Sequence, residues 1–103
     1  WQPHTYSRTR ALMDDYCQAF ADADMVILTD IYAAREPAAD FTAASVAEKI
    51  NTPSVYIPSL ELITERLSGM LQQGDVVLVL SAGDAIRLNP LLADELRKKE
   101  ACR

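Results

Sequence analysis

Three short runs of apolar residues, separated by segments with helical periodicity, constrain the fold of this chain more than any other feature. The runs are Met25–Thr29, Val55–Ile57 and Val76–Leu80. They have the length and the β-branched content of strands, and continuous apolar runs are typical of strands that are covered on both faces. Strands that alternate with helices predict a parallel sheet. We therefore expect an α/β domain in three layers, with helices on both faces of a parallel sheet.

The segments between these runs predict the helices. Apolar residues recur at helical spacing over residues 8–21, 42–50, 59–71 and 90–99, whereas residues 30–41 contain Pro37 and read as a loop. Asp40 or Thr42 can cap the second helix, and Gly74 suits the turn that ends the third. The chain opens on a helix, so Trp1–Pro3 reads as the exit of a first strand that is mostly missing.

Composition and charge exclude several classes of function. The chain has 103 residues, enough for one domain, and its net charge of −5 argues against nucleic acid as a partner. No apolar run approaches the roughly 20 residues of a membrane span, so membrane insertion is not expected. Cys17 and Cys102 lie far apart without a CxxC spacing or nearby histidines, so no metal site is expected.

Candidate chemistry lies where strands end, because ligands of open parallel sheets bind at the carboxyl ends of the strands. The first candidate segment, Pro3–Arg10, holds His4, Arg8 and Arg10 and no acid, although the chain has 15 acids against 10 bases. A helix that starts here adds free backbone N–H groups, and the combination attracts a carboxylate or a phosphate. The alternative is that the arginines are merely solvated and that Ser7 or Thr9 caps the helix.

Two further segments reach the same edge. Tyr32 and Arg35, in the segment Asp30–Glu36, could line a pocket, or Arg35 could simply pair with Glu36 on the surface. Gly83 permits close approach of a ligand to the backbone, and Asp84 can cap a helix. The patterns GxxxxGK[ST] and GxGxxG are absent. No nucleophile with a base is apparent, and a lone histidine such as His4 is more often structural than catalytic.

These segments together resemble a known family. The run Gln-Pro-His-Thr-Tyr-Ser-Arg-Thr at residues 2–9, the run Ile-Tyr-Ala-Ala-Arg-Glu at residues 31–36 and Ala-Gly-Asp at residues 82–84 are similar to the Mur ligases of bacterial peptidoglycan synthesis. Among these, the similarity is to the ligases that join L-alanine to UDP-N-acetylmuramate. It covers essentially the whole chain, with the motifs in order.

The resemblance implies that residues 1–103 are the Rossmann-like C-terminal domain of a cytoplasmic ATP-dependent ligase, incomplete at the N-terminal side. ATP activates the muramate carboxylate as an acyl phosphate, Mg²⁺ is required, and the phosphate loop and most metal ligands belong to other domains. The resemblance places His4 and Arg8 at positions that face the amino-acid and acyl-transfer region, and Tyr32 and Arg35 join them as substrate-binding candidates. Gly83 and Asp84 are candidates for the nucleotide or phosphate side. The isolated chain is then expected to be inactive, with no catalytic residue and no metal ligand of its own.

The sequence departs from the family at two positions and leaves two alternatives open. Thr5 stands where some members carry Arg, and Ser81 replaces the first Gly of the later turn. One alternative is a related ligase with a peptide acceptor, as in the murein-peptide ligase. The other is a non-catalytic α/β module that binds anions.

Overall fold

The computed structural model describes residues 1–101, so Cys102 lies outside the described residues. Two strands are present, β1 (Val26–Leu28) and β2 (Ser54–Tyr56). The helices are α1 (Tyr6–Ala11), α2 (Met13–Gln18), α3 (Ala43–Lys49), α4 (Leu60–Met70) and α5 (Leu88–Ala101), and a 3₁₀ turn over Asp84–Arg87 leads into α5. The prediction of a mixed α/β chain with parallel strands is confirmed.

The two strands pair in parallel, with Val26 opposite Ser54, Ile27 opposite Val55 and Leu28 opposite Tyr56. The predicted third strand, Val76–Leu80, does not form a strand in the described chain. Val76 is 81% exposed and Leu78 is 74% exposed. A strand needs partners for its backbone groups, whereas here the hydrogen bond from the Gln2 amide to the Leu80 carbonyl (3.0 Å) holds only the end of the segment. The structure therefore shows a two-stranded parallel sheet with helices and not a complete three-layer Rossmann-like sheet.

The first predicted helix is divided and shorter than expected. Leu12, with φ −108° and ψ 14°, leaves helical geometry and separates α1 from α2. At the other end, the Asn51 amide donates to the Cys17 carbonyl (3.0 Å) and the Thr52 hydroxyl donates to the Phe20 carbonyl (2.6 Å). Because these carbonyls accept hydrogen bonds from the segment after α3, they do not continue the helical hydrogen-bond ladder. The helix therefore ends at Gln18 and does not reach the predicted residue 21.

The other helices follow their sequence signals. Thr42 caps α3 and forms a capping box with Ser45, so Thr42 and not Asp40 is the cap. Ser59 caps α4, and Gly74 in the turn after it has a φ of 97°. The last helix starts before the predicted residue 90, because the 3₁₀ turn feeds directly into Leu88. None of the helices within residues 1–101 is long and apolar enough to cross a bilayer.

Alternate residues of β1 serve two hydrophobic clusters. Val26 and Leu28 pack with Val46 and Ile50 of the α3 region, and Trp1, Met13, Phe20 and Phe41 surround them. Ile27 instead packs against the cluster that α4 and α5 form, which consists of Ile63, Leu67, Leu88 and Leu92. Because successive strand residues point to opposite faces, this division places helices on both sides of β1. The sheet edge between the two clusters carries the site described below.

Candidate functional site

The N-terminal segment runs alongside β1 and its continuation. The Trp1 amino group donates to the Ile27 carbonyl (2.7 Å), and the Thr29 amide donates to the Trp1 carbonyl (3.1 Å). Further along, the Tyr32 amide donates to the Pro3 carbonyl and the Thr5 amide to the Tyr32 carbonyl, both at 2.8 Å. His4 and Tyr32 thereby form an isolated parallel bridge. The first two predicted segments are therefore held together by backbone hydrogen bonds.

The third predicted segment joins them through the side chain of Gln2, which is only 8% exposed. Its Oε1 accepts hydrogen bonds from the Ser81 hydroxyl (2.7 Å) and the Ala85 amide (3.2 Å). Its Nε2 donates to Asp84 Oδ1 (2.7 Å). The Ser81 hydroxyl also accepts from the Gly83 amide (3.0 Å), so the serine that departs from the family pattern builds the turn.

The ring of Tyr32 lies between His4 and Gly83. The His4 and Tyr32 rings stack at 5.6 Å with 21° between their planes. A Cβ added to Gly83 would lie 2.7 Å from Tyr32 Cγ and 2.8 Å from Gln2 Oε1. The absence of a side chain at Gly83 thus allows the turn to approach Tyr32 and Gln2 closely. His4 Nδ1 is buried and has no hydrogen-bond partner among the described residues.

An open cavity of about 320 Å³ adjoins this assembly at the end of β1. Asp30 and Asp84 both line it, and the described residues around it include no Lys, Arg or His. The Tyr56 hydroxyl donates to Asp30, and this hydrogen bond, with burial as a smaller contribution, raises the pKa of Tyr56 to about 12. The cavity is of the size that binds small molecules, and its charge disfavours an anion inside it.

The start of α1 is occupied by a carboxylate from the chain itself. Glu36 Oε1 accepts from the backbone amides of Tyr6 (2.7 Å) and Ser7 (3.1 Å), and Glu36 Oε2 accepts from the Ser7 hydroxyl. The hydrogen bonds from Ser7, first from its side chain and then from its backbone, hold the pKa of Glu36 below its ordinary value. The prediction that the N–H groups at this helix start are free is therefore wrong, since Glu36 accepts hydrogen bonds from two of them.

The three arginines of the first two predicted segments, Arg8, Arg10 and Arg35, differ in their contacts. Arg10 pairs with Asp40 and lies over the Phe41 ring, 5.2 Å from its centroid. Arg8 and Arg35 are exposed and form no ion pair in the part of the chain that the structure describes. They stand next in sequence to Ser7 and Glu36, which contact each other. Both remain available to an anion.

Residues 1–101 hold no group of three or more His, Cys, Asp or Glu side chains that could bind a metal ion. The chain also lacks the phosphate-loop pattern. Of the groups that ATP-dependent chemistry uses, the described chain offers exposed guanidinium groups, which bind phosphate and carboxylate oxygens well.

Comparison with known proteins identifies the class to which this fold and this strand-end site belong. Residues 2–83 match the family described as "Mur ligase, glutamate ligase domain", which is most of the chain. The chain therefore belongs to the Mur ligase family, and the resemblance stated above is confirmed.

Similar curated proteins carry the name UDP-N-acetylmuramate–L-alanine ligase. The protein of Mycolicibacterium smegmatis is 37% identical over 101 residues, which are 97% of this chain and 21% of that protein. The proteins of Mycolicibacterium paratuberculosis (39% identical) and Mycobacterium tuberculosis (38% identical) each match 94% of this chain and 20% of their own length. The chain thus spans about a fifth of the length of the curated relatives that it matches.

The structure brings together three of the predicted residues, His4, Tyr32 and Gly83, and places Asp84 on the Gln2 side chain. It also reveals two residues that sequence reasoning missed as parts of the site, Gln2 and Glu36. The signal for Gln2 was a polar side chain between Trp1 and Pro3 at the presumed strand exit. Glu36 had no local signal, because its partners lie 29 and 30 residues away.

Proposed function

We propose that this chain is the C-terminal domain of an ATP-dependent ligase that joins L-alanine to UDP-N-acetylmuramate in peptidoglycan synthesis. The observation that carries the proposal is the meeting of the three family motifs at one strand end, where His4, Tyr32 and Gly83 are in contact. The names of the similar curated proteins support alanine as the amino acid. We place the enzyme in the bacterial cytoplasm, as the resemblance implies.

The reaction has two steps. ATP transfers its γ-phosphoryl group to the muramate carboxylate, which gives an acyl phosphate and ADP. The α-amine of L-alanine then attacks the acyl carbon, loses a proton and displaces inorganic phosphate, so that an amide forms. Negative charge accumulates on the oxygens that surround the reacting centre, and preorganised positive groups lower the barrier there.

We assign the exposed Arg8 and Arg35 to anionic groups, either the carboxylate of L-alanine or the phosphoryl oxygens. His4 and Tyr32 orient the substrate from the adjoining stack, and Gly83 and Asp84 form the nucleotide or phosphate side. Of these two, we assign the nucleotide to Gly83 and Asp84, because the acidic cavity beside Asp84 does not suit a bare phosphate. The phosphoryl group then lies nearer the arginines. We propose that the ATP loop and the Mg²⁺ ligands belong to parts of the enzyme outside residues 1–101.

We further propose that the domain is completed by a strand formed by residues that precede Trp1 in the full-length enzyme. The parallel hydrogen bonds of Trp1 to Ile27 and Thr29 set the direction of such a strand. It would lie between β1 and residues 76–80, because the next residue, Gln2, bonds to Leu80. The addition would cover Val76 and Leu78 and give the three-layer Rossmann-like sheet.

The test is release of inorganic phosphate by the full-length enzyme with UDP-N-acetylmuramate, ATP, Mg²⁺ and each candidate acceptor. We expect turnover with L-alanine and none by residues 1–103 alone. Preference for a peptide over L-alanine would instead identify a ligase of the murein-peptide type. Absence of turnover with every acceptor, together with binding of phosphate or carboxylate ligands, would favour the non-catalytic anion-binding module.

A further inference from the structure

The Gln2 side chain contacts the later turn, Ser81–Ala85, while its backbone belongs to the N-terminal segment. Within a single carboxamide it accepts from Ser81 and Ala85 and donates to Asp84. The amide of the same residue donates to Leu80. Residues 80–85 are therefore tied to the end of β1 through Gln2, across a sequence separation of about 80 residues.

The carboxamide of Gln2 can make all three hydrogen bonds, whereas the side chains of glutamate and asparagine cannot. A glutamate would keep the acceptor for Ser81 and Ala85 but would place a second carboxylate against Asp84. An asparagine is one methylene shorter and could not reach all three partners from the same backbone position. A buried carboxamide whose oxygen and nitrogen are both hydrogen-bonded favours one arrangement, since loss of a partner there would leave a buried polar group unpaired.

The turn that Gln2 holds is also the turn that packs against the Tyr32 ring. A Cβ on Gly83 would touch both Tyr32 and Gln2 Oε1, so the three groups fit together with no spare room. Tyr32 in turn stacks on His4. A displacement of the turn would therefore move Asp84 at one side of the cavity and release the Tyr32–His4 stack at the other.

We propose that Gln2 is a positioning residue, which holds the turn Ser81–Ala85 and with it Asp84 and the Tyr32 ring in the geometry that the ligase site needs. The inference rests on the proposed function for its kinetic consequence. The hydrogen bonds themselves do not depend on it.

The experiment exchanges the two partners in the full-length enzyme. Gln2→Glu should lower kcat/KM for L-alanine by about tenfold or more, because it loses a hydrogen bond to a charged group and gains a like charge. In Gln2→Glu combined with Asp84→Asn, the asparagine amide can donate to the new carboxylate. The double variant should therefore match or exceed Asp84→Asn alone, and Gln73→Glu, in the exposed turn after α4, controls for the added charge.

A second measurement does not depend on turnover. Hydrogen exchange at the Ala85 amide, which donates to Gln2 Oε1, should accelerate about tenfold or more in Gln2→Ala and stay slow in the exchanged double variant. The coupling energy between Gln2→Glu and Asp84→Asn can be calculated from kcat/KM and from the free energy of unfolding. A merely structural role would give equal values, whereas a positioning role requires the larger value from kcat/KM. Unchanged kinetics in Gln2→Glu, together with unchanged exchange at Ala85 in Gln2→Ala, would overturn the proposal. A wild-type enzyme that ligates no alanine would overturn the proposed function, and exchange at Ala85 would still decide the role of Gln2.

Discussion

Substitution of Gly83 by alanine is expected to damage the site through contact alone. Gly83 has φ −124°, so alanine meets no left-handed strain there, but its Cβ would lie 2.7 Å from two ring carbons of Tyr32. Relief requires the ring to leave His4 or the Gln2 carboxamide to leave its three partners. Overpacking of this kind costs about 1–3 kcal/mol.

The chain offers a matched control in Gly69, on an exposed part of α4, where an added Cβ meets nothing within 4 Å. Gly69→Ala should not destabilise the protein, because Gly69 lies in the last turn of α4 and alanine is the better helix former. Gly83→Ala should lower the thermal midpoint, by about 4–8 °C for each kcal/mol in a domain of this size.

The assays are thermal unfolding of both variants and the kinetics of the full-length enzyme. If the lost contact energy appears in the transition state, kcat/KM of Gly83→Ala should fall about tenfold for each 1.4 kcal/mol. Gly69→Ala should retain wild-type kinetics. Equal stability and equal kcat/KM for Gly83→Ala and wild type would show that the turn does not press on Tyr32 and Gln2 as described.

Three further predictions concern other parts of the molecule. Arg8→Ala should lower kcat/KM for L-alanine by about tenfold or more in steady-state assays of the full-length enzyme, while Arg97→Ala, which removes an exposed pair with Asp94, should not. Because the pKa of Glu36 is lowered in the folded chain, its contribution to stability is present above about pH 4.5 and declines as the pH falls below that value, so thermal midpoints of Glu36→Gln should depend less on pH in this range. Amides of residues 76–80 should exchange fast in residues 1–103 and slowly in the full-length enzyme, and equal rates would contradict the additional strand.

The parts of the fold that local signals determine were predictable from the sequence. Thr42 and Ser59 cap their helices as their residue types indicate, and β1 and β2 lie within or beside the apolar runs that predicted them. The meeting of three loops at one edge followed from the geometry of parallel strands, which place their carboxyl ends together. These predictions required only information within a window of about ten residues or a general rule of sheet topology.

The segment Val76–Leu80 shows where local information is insufficient. Its composition is that of a central strand, yet its side chains are largely exposed and its backbone lacks ladder partners in the described chain. Strand formation depends on neighbours, because a lone extended segment leaves its N–H and C=O groups unpaired. The apolar pattern of residues 76–80 therefore indicates a strand with neighbouring strands, which the two-stranded sheet does not provide.

The charge of the N-terminal segment also depends on residues that are distant in sequence. Residues 1–10 contain three basic side chains and no acid, but Glu36 reaches the amides of Tyr6 and Ser7, and Asp40 reaches Arg10. Both carboxylates come from residues 36–40, so groups of the chain itself occupy the amides of Tyr6 and Ser7 and pair with Arg10. In the proposed site, anions are bound by Arg8 and Arg35, which stand next in sequence to Ser7 and Glu36. The loop 30–36 thus occupies, through Glu36, the backbone site that the sequence indicated, and it supplies Arg35 to the site that we propose.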